Sequence, residues 1–213
     1  PVTVNTTTMA RPIARRLPAR ASELGAPMLD APVSGGEIGA IDGTLTFMGD
    51  YLFQGVTNIL GGAVRIGGTI DPETEFNLGT GGSLDITGKD QTIGGLSGDG
   101  GTQVILGDSQ LTANQSENGE FAVAISGNGS FVKSGSGTLN LSGDSDYTGP
   151  TTVDGGKLAV NGSIVSDVTV NAGGALGGNG SVGSTTISGG GRLTPGNSIG
   201  RLTVNGDLGF AAG

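Results

Sequence analysis

Four positions in the last third of the chain stand 17 residues apart: Val153, Val170, Ile187 and Val204. Each follows a threonine (Thr152, Thr169, Thr186, Thr203), and each is followed at a short interval by glycine and then by a leucine, Leu158, Leu176, Leu193 and Leu208. A second marker keeps step. Asn161-Gly162-Ser163-Ile164 returns as Asn179-Gly180-Ser181-Val182 and, less completely, as Asn197-Ser198-Ile199. A unit of under twenty residues cannot bury its apolar face alone, so self-similarity at this interval specifies a solenoid in which each unit is covered by its neighbours. The expectation is that Val153, Val170, Ile187 and Val204 lie over one another in one interior column.

Shorter alternation sets the local structure. The runs 63–68, 83–88, 102–107, 121–126, 138–143, 151–156 and 157–162 each place aliphatic residues two apart, as half-buried strands do. Centres such as Ile66, Ile86, Ile105, Val123, Leu141 and Leu158 recur at about one coil of a parallel β-helix. About nine coils follow from the length of this zone, stacked into a rod about 40 Å long. Forty-five of the 213 residues are glycine, which suits a chain that turns several times per coil. The expected fold is all-β: a right-handed parallel β-helix over 50–213, with an irregular or partly helical segment at 1–49 that includes the helical pattern ARASELG. An antiparallel sandwich fits a constant interval less well, because hairpins reverse alternate strands.

The chemistry expected of the chain is sparse. Histidine and cysteine are absent, so neither a Ser-His-Asp triad nor a disulfide framework can form. The net charge is −9, which disfavours nucleic acid as a partner. The one basic cluster, Arg11, Arg15, Arg16 and Arg20, reads as a solvated tail or helix face. Asp99, Asp108, Asp144 and Asp146 read as turn aspartates rather than calcium ligands, and Glu73 and Glu75 as residues of a surface loop. Asn161, Asn179 and Asn197 read as a stack at equivalent turns, Phe131 and Tyr147 as packing residues, and Lys133 and Lys157 as solvated. No catalytic residue, cofactor-binding residue, cofactor or metal ligand is expected. No apolar run reaches the length of a membrane span, and no apolar h-region opens the chain.

Two resemblances stand on longer phrases. Residues 127–162, GNGSFVKSGSGTLNLSGDSDYTGPTTVDGGKLAVNG, resemble the passenger-associated repeat of bacterial autotransporters, and LTPGNSIGRLTVNGD (193–207) resembles the passenger segment that follows such repeats. The likeness extends over roughly 50–213. It implies export through the periplasm to the bacterial outer membrane, the cell surface or the medium, by way of a C-terminal barrel that these residues do not contain. It implies a role in adhesion to a host surface or glycan, or in supporting secretion. Residues 20–48 resemble the β-hydroxyacid dehydrogenases, whose D-A-P-V-S-G-G motif appears at Asp30 to Gly36, followed by Gly39-Ala40 and Gly43-Thr44-Leu45. That resemblance implies a substrate-carboxylate site at Ser34, Gly35 and Gly36. The family's nucleotide fingerprint and catalytic lysine are not found, so the segment reads as vestigial. The expected function is a non-enzymatic passenger β-helix. The alternatives are a remnant NAD(P)-dependent dehydrogenase and a β-helical polysaccharide hydrolase.

Overall fold

Alternation at period two produces twenty-six short strands and no helix among the described residues. These are Val2–Val4, Glu37–Ile38, Thr44–Phe47, 49–196 and 200–211 of a computed structural model. The strands form a parallel β-solenoid of about eight turns with three faces. The first face runs from Val2–Val4 and Thr44–Phe47 to Ala124–Gly127, and Asp144–Ser145 to Thr203–Val204 continue it. The second runs from Gln91–Ile93 through Phe131–Ser134 to Leu208–Phe210. The third, of nine strands, runs from Glu37–Ile38 to Arg192–Pro195. The rungs therefore extend on the N-terminal side of residue 49. The expected helical pattern at 19–25 and the site Ser34, Gly35 and Gly36 lie outside the described residues.

Stacking turns each inward position into a column. On the third face Leu139, Leu158, Leu176 and Leu193 lie in register. On the first, Leu45, Val64, Leu84, Val104 and Ile125 do. These residues, Leu193 apart, are buried, so adjacent coils share one continuous aliphatic core. At about 25 cal/mol per Å² of apolar surface, that burial is the dominant favourable term, and it accrues coil by coil.

The sequence repeat and the spatial repeat part company near the C-terminus. Val153, Val170 and Ile187 do stack on the second face. Val204 does not join them: it pairs with Val182 on the first face, and Phe210 lies over Ile187 instead. Leu208 likewise leaves the leucine column and pairs with Thr185. The cause is corner length. Two residues separate Gly174–Gly178 from Ser181–Val182, whereas seven separate Arg192–Pro195 from Thr203–Val204. A longer corner moves the next Thr-Val pair onto a different face while the strands keep their register.

Two smaller expectations also change. Ile105 points outward and is only half-buried, while Val104 and Leu106 on either side face the core. The run 121–126 is two strands, Gly119–Phe121 and Ala124–Gly127, on different faces. Val123 lies buried between them at the corner.

Candidate functional site

Phase along a strand decides where Lys133 goes. In Phe131–Ser134 the odd residues face inward, and Lys133 pairs with Ala113 below and Val153 above. It is fully buried, which corrects the expectation that it is solvated. Its ammonium donates to the carbonyl oxygens of Ser134 at 2.5 Å, Gly135 at 3.1 Å and Gly155 at 3.2 Å. The first two acceptors belong to its own coil and the third to the next, so one side chain ties two coils at the corner between the second and third faces. Gly135 is needed there: its φ is +76°, and a Cβ would lie 2.4 Å from the Gln115 carbonyl oxygen. Burial pushes the Lys133 amine down to about 8. The amine is sealed from solvent, so its chemistry is that of a structural cation rather than a nucleophile.

A chain of hydroxyls lies inside the same part of the rod. Tyr147 is fully buried, with its ring edge-on to Phe131 at 6.4 Å between centroids. Its hydroxyl is 2.5 Å from that of Thr151, which is 2.5 Å from that of Ser166. Burial raises the Tyr147 phenol above its ordinary value, against the two hydroxyl contacts. Both aromatic residues are therefore packing residues, as the sequence suggested.

Elsewhere side chains take over inter-coil bonds that the backbone does not make. Among the described residues, the early coils of the second face have a single bridge, Tyr51 to Ile70, where later coils have strands. There the buried Gln91 accepts from the Ile70 amide and donates to the Gly68 carbonyl. Gln115 accepts from the Leu96 amide, and the Ser145 hydroxyl accepts from the Ile125 amide. Sequence reading missed Lys133, Gln91 and Gln115. For Lys133 and Gln91 the available signal was phase: each is in step with an apolar residue of the neighbouring coil.

The outer surface carries polar columns. On the third face Asn77 donates to Asn58, Ser97 to Asn77, Asn140 to Glu120, and Asn161 to Asn140. The Asn179 amide then donates to the Asn161 carboxamide oxygen. Asn161 and Asn179 thus stack at equivalent corners, and Asn197 lies outside the described residues. On the second face Thr92, Thr112, Val132, Thr152, Thr169 and Thr186 form one outward column. Asp144, in the strand Asp144–Ser145, accepts from Ser163 of the next coil, and Asp108 accepts from Asn128 of the next coil, so both link coils rather than close local turns, while Asp146 is exposed. The carbonyl of Asp99 accepts from Thr102. Glu73 and Glu75 are exposed on either side of the buried Thr74, but Glu75 lies in the strand Thr74–Leu78 at an outward phase, which corrects its placement in a loop. Lys157 is half-buried, reaching the Gly196 carbonyl at 3.4 Å. Among the described residues no cluster of three or more acidic side chains could hold a metal ion.

Comparison with known proteins finds two different likenesses. Residues 131–160 match the Passenger-associated-transport-repeat family. Over 145 residues, 62% of the chain, the sequence is 36% identical to the adhesin BmaC autotransporter of Brucella suis. Over 52 residues it is 46% identical to an extracellular serine protease of Serratia marcescens. The chain spans only 4% and 5% of the lengths of these two proteins. Residues 1–59 match the NAD binding domain of 6-phosphogluconate dehydrogenase. A stretch of 41 residues, 19% of the chain, is 61% identical to 14% of an NAD-dependent L-serine dehydrogenase of Pseudomonas aeruginosa. Within the former match, Thr44–Phe47 and Gly55–Ile59 are parallel rungs of the rod. No solved structure matches the chain.

Proposed function

We propose that the chain is part of a passenger carried to the bacterial surface or released from it, where the rod acts as a non-catalytic adhesion scaffold. The observation that carries this reading is the union of a passenger-associated repeat at 131–160 with an unbroken stack of coils on both sides of it. The likeness to a Brucella adhesin over most of the chain supports adhesion in particular. A rod with its core closed by neighbouring coils offers long lateral faces, the usual contact surface of solenoids. The outward threonine column and the carboxamide ladder are the polar faces available to a host protein or glycan. Export delivers the chain through the periplasm, and each finished coil presents an edge on which the next can pair.

The test uses the full-length protein in its bacterium. Deleting residues 151–184, two whole coils that carry two strands of the second face, should leave export intact and reduce adherence to host cells or immobilised glycans. Antibody access to the surface of intact bacteria measures export separately. Full adherence by the deleted protein overturns the adhesion role, and loss of surface display with a normal total amount assigns these coils to secretion instead.

A second reading rests on the 61% identity to a dehydrogenase over 41 residues. On that reading Ser34, Gly35 and Gly36 would hold a substrate carboxylate. Titration with NADH, followed by its fluorescence, checks this. A saturable signal supports an enzyme, and a flat titration removes it.

A further inference from the structure

The second marker of the repeat, Asn-Gly-Ser, serves the stack of coils and is also an acceptor sequence for sugar. Asn128-Gly129-Ser130, Asn161-Gly162-Ser163 and Asn179-Gly180-Ser181 are all Asn-x-Ser acceptor sequences for N-linked sugar, as are Asn114-Gln115-Ser116 and Asn140-Leu141-Ser142. Asn5-Thr6-Thr7 is a sixth. Six of the chain's twelve asparagines are thus followed two residues on by Ser or Thr. Three of the six, Asn128, Asn161 and Asn179, are copies of the one repeated triplet.

The fold sorts the five described acceptors into two classes. Asn114, Asn128 and Asn179 are exposed, at strand ends or corners of the rod. Asn140 and Asn161 are half-buried, and their carboxamide nitrogens are committed to the ladder. Asn140 Nδ2 donates to the Glu120 carboxylate at 2.5 Å, and Asn161 Nδ2 donates to Asn140 Oδ1 at 2.6 Å. A sugar on either nitrogen would displace a neighbouring coil's side chain. Asn179 is exposed at its corner, where its backbone amide donates to Asn161 and its carboxamide oxygen packs against Gly200. Asn128 Nδ2 contacts Asp108 at 3.0 Å at an exposed position, where water can replace that bond.

We propose that Asn114, Asn128 and Asn179 are sites of N-linked hexose addition. The co-reactant is a hexose activated on a diphosphate, carried by a nucleotide or a lipid, and a glycosyltransferase of the bacterium that makes the chain catalyses the step. The Nδ2–C1 bond forms as the C1–O bond to phosphate breaks. The diphosphate leaves with the electron pair, and one Nδ2 proton passes to the enzyme's base. The product is a neutral sugar standing out from an acidic rod. This goes beyond the adhesion reading and does not depend on it.

Mass mapping of peptides from the full-length protein, purified from its own bacterium, tests the proposal. One hexose is expected on each of the peptides containing Asn114, Asn128 and Asn179, and none on Asn140 or Asn161. Ser116→Ala, Ser130→Ala and Ser181→Ala should each remove the sugar from the adjacent asparagine. The corresponding Ser→Thr changes should retain it, and Asn→Gln should abolish it, which separates N-linked from O-linked sugar. A chain retained in the cytoplasm carries the sugar if the donor is nucleotide-linked, whereas only the exported chain carries it if the donor is lipid-linked. Unmodified peptides at all three positions, or sugar on Asn140 or Asn161, overturn the proposal.

Discussion

The coils of the second face between Leu111 and Thr151 advance by 20 residues, whereas those between Thr151 and Thr185 advance by 17. Strand pairing is the same in both. The difference lies in the corners: five residues separate Asp144–Ser145 from Thr151–Val153, and three separate Ser163–Ile164 from Val168–Val170. The longer corner holds Tyr147, folded inward over Phe131, and its coil also holds the buried Lys133. The shorter coils put Val153, Val170 and Ile187 in the corresponding column. The long corner thus goes with a larger interior that holds a ring and an ammonium, and the short corners with a smaller one whose buried polar groups are hydroxyls. Coil length is set by what the interior must accommodate, while the ladder of parallel strands stays constant.

That contrast can be broken most forcefully at Tyr147. Tyr147→Ala removes a buried ring and should cost about 4 kcal/mol in urea unfolding, against about 2 kcal/mol for Val170→Ala in a short coil. Equal losses would show that the two kinds of coil are equally packed. Lys133→Ala should cost on the order of 3 kcal/mol, since it leaves a cavity and three carbonyls without their donor. Lys133→Met should cost less than half as much, because it fills the space without a buried charge. At the short coils, Gly180→Ala should lower the midpoint of thermal unfolding, since its Cβ would lie 1.9 Å from the Gly162 carbonyl oxygen. A change of roughly 2 kcal/mol, the scale of overpacking, is expected.

Two gentler measurements sharpen the comparison. The folded Lys133 amine titrates near 8 and the unfolded one near 10.5. Between those values the unfolded chain holds a proton that the folded chain has released, so stability should rise with pH from about 8 towards 10. The gain is lost as pH falls through 8. Above about 10 the raised phenol of Tyr147 works the other way, because the unfolded tyrosine ionises first. Chemical denaturation at a series of pH values should show this rise, and Lys133→Met should flatten it. The smallest effect belongs to the outer ladder: Asn140→Ala should change stability by about 0.5 kcal/mol, since its bonds lie on the outer surface where water can replace them.

How far the sequence could be read follows from the same contrast. Alternation located the strands, and a constant interval placed Val153, Val170 and Ile187 in one column because three successive coils have the same corners. Val204 was misplaced because an interval in sequence counts corner residues, and the corner after Pro195 is longer. Ile105 was misread because Val-Ile-Leu offers three apolar residues in a row, and alternation cannot choose the phase. Lys133 was missed because charge outweighed phase: its four-carbon stem spans the interior to carbonyls that no local pattern reveals. The site expected at Ser34, Gly35 and Gly36 lies outside the described residues, so the structure bears on the rod and not on that motif.

The direction of the backbone bonds has a mechanical consequence. They link one coil to the next, so they lie along the axis of the rod. Tension applied at the two ends therefore loads the terminal coil first and peels it away before the one beneath feels the full force. A molecule built this way lengthens in steps of about twenty residues under modest pull, and it can recoil by the same steps when the load is released.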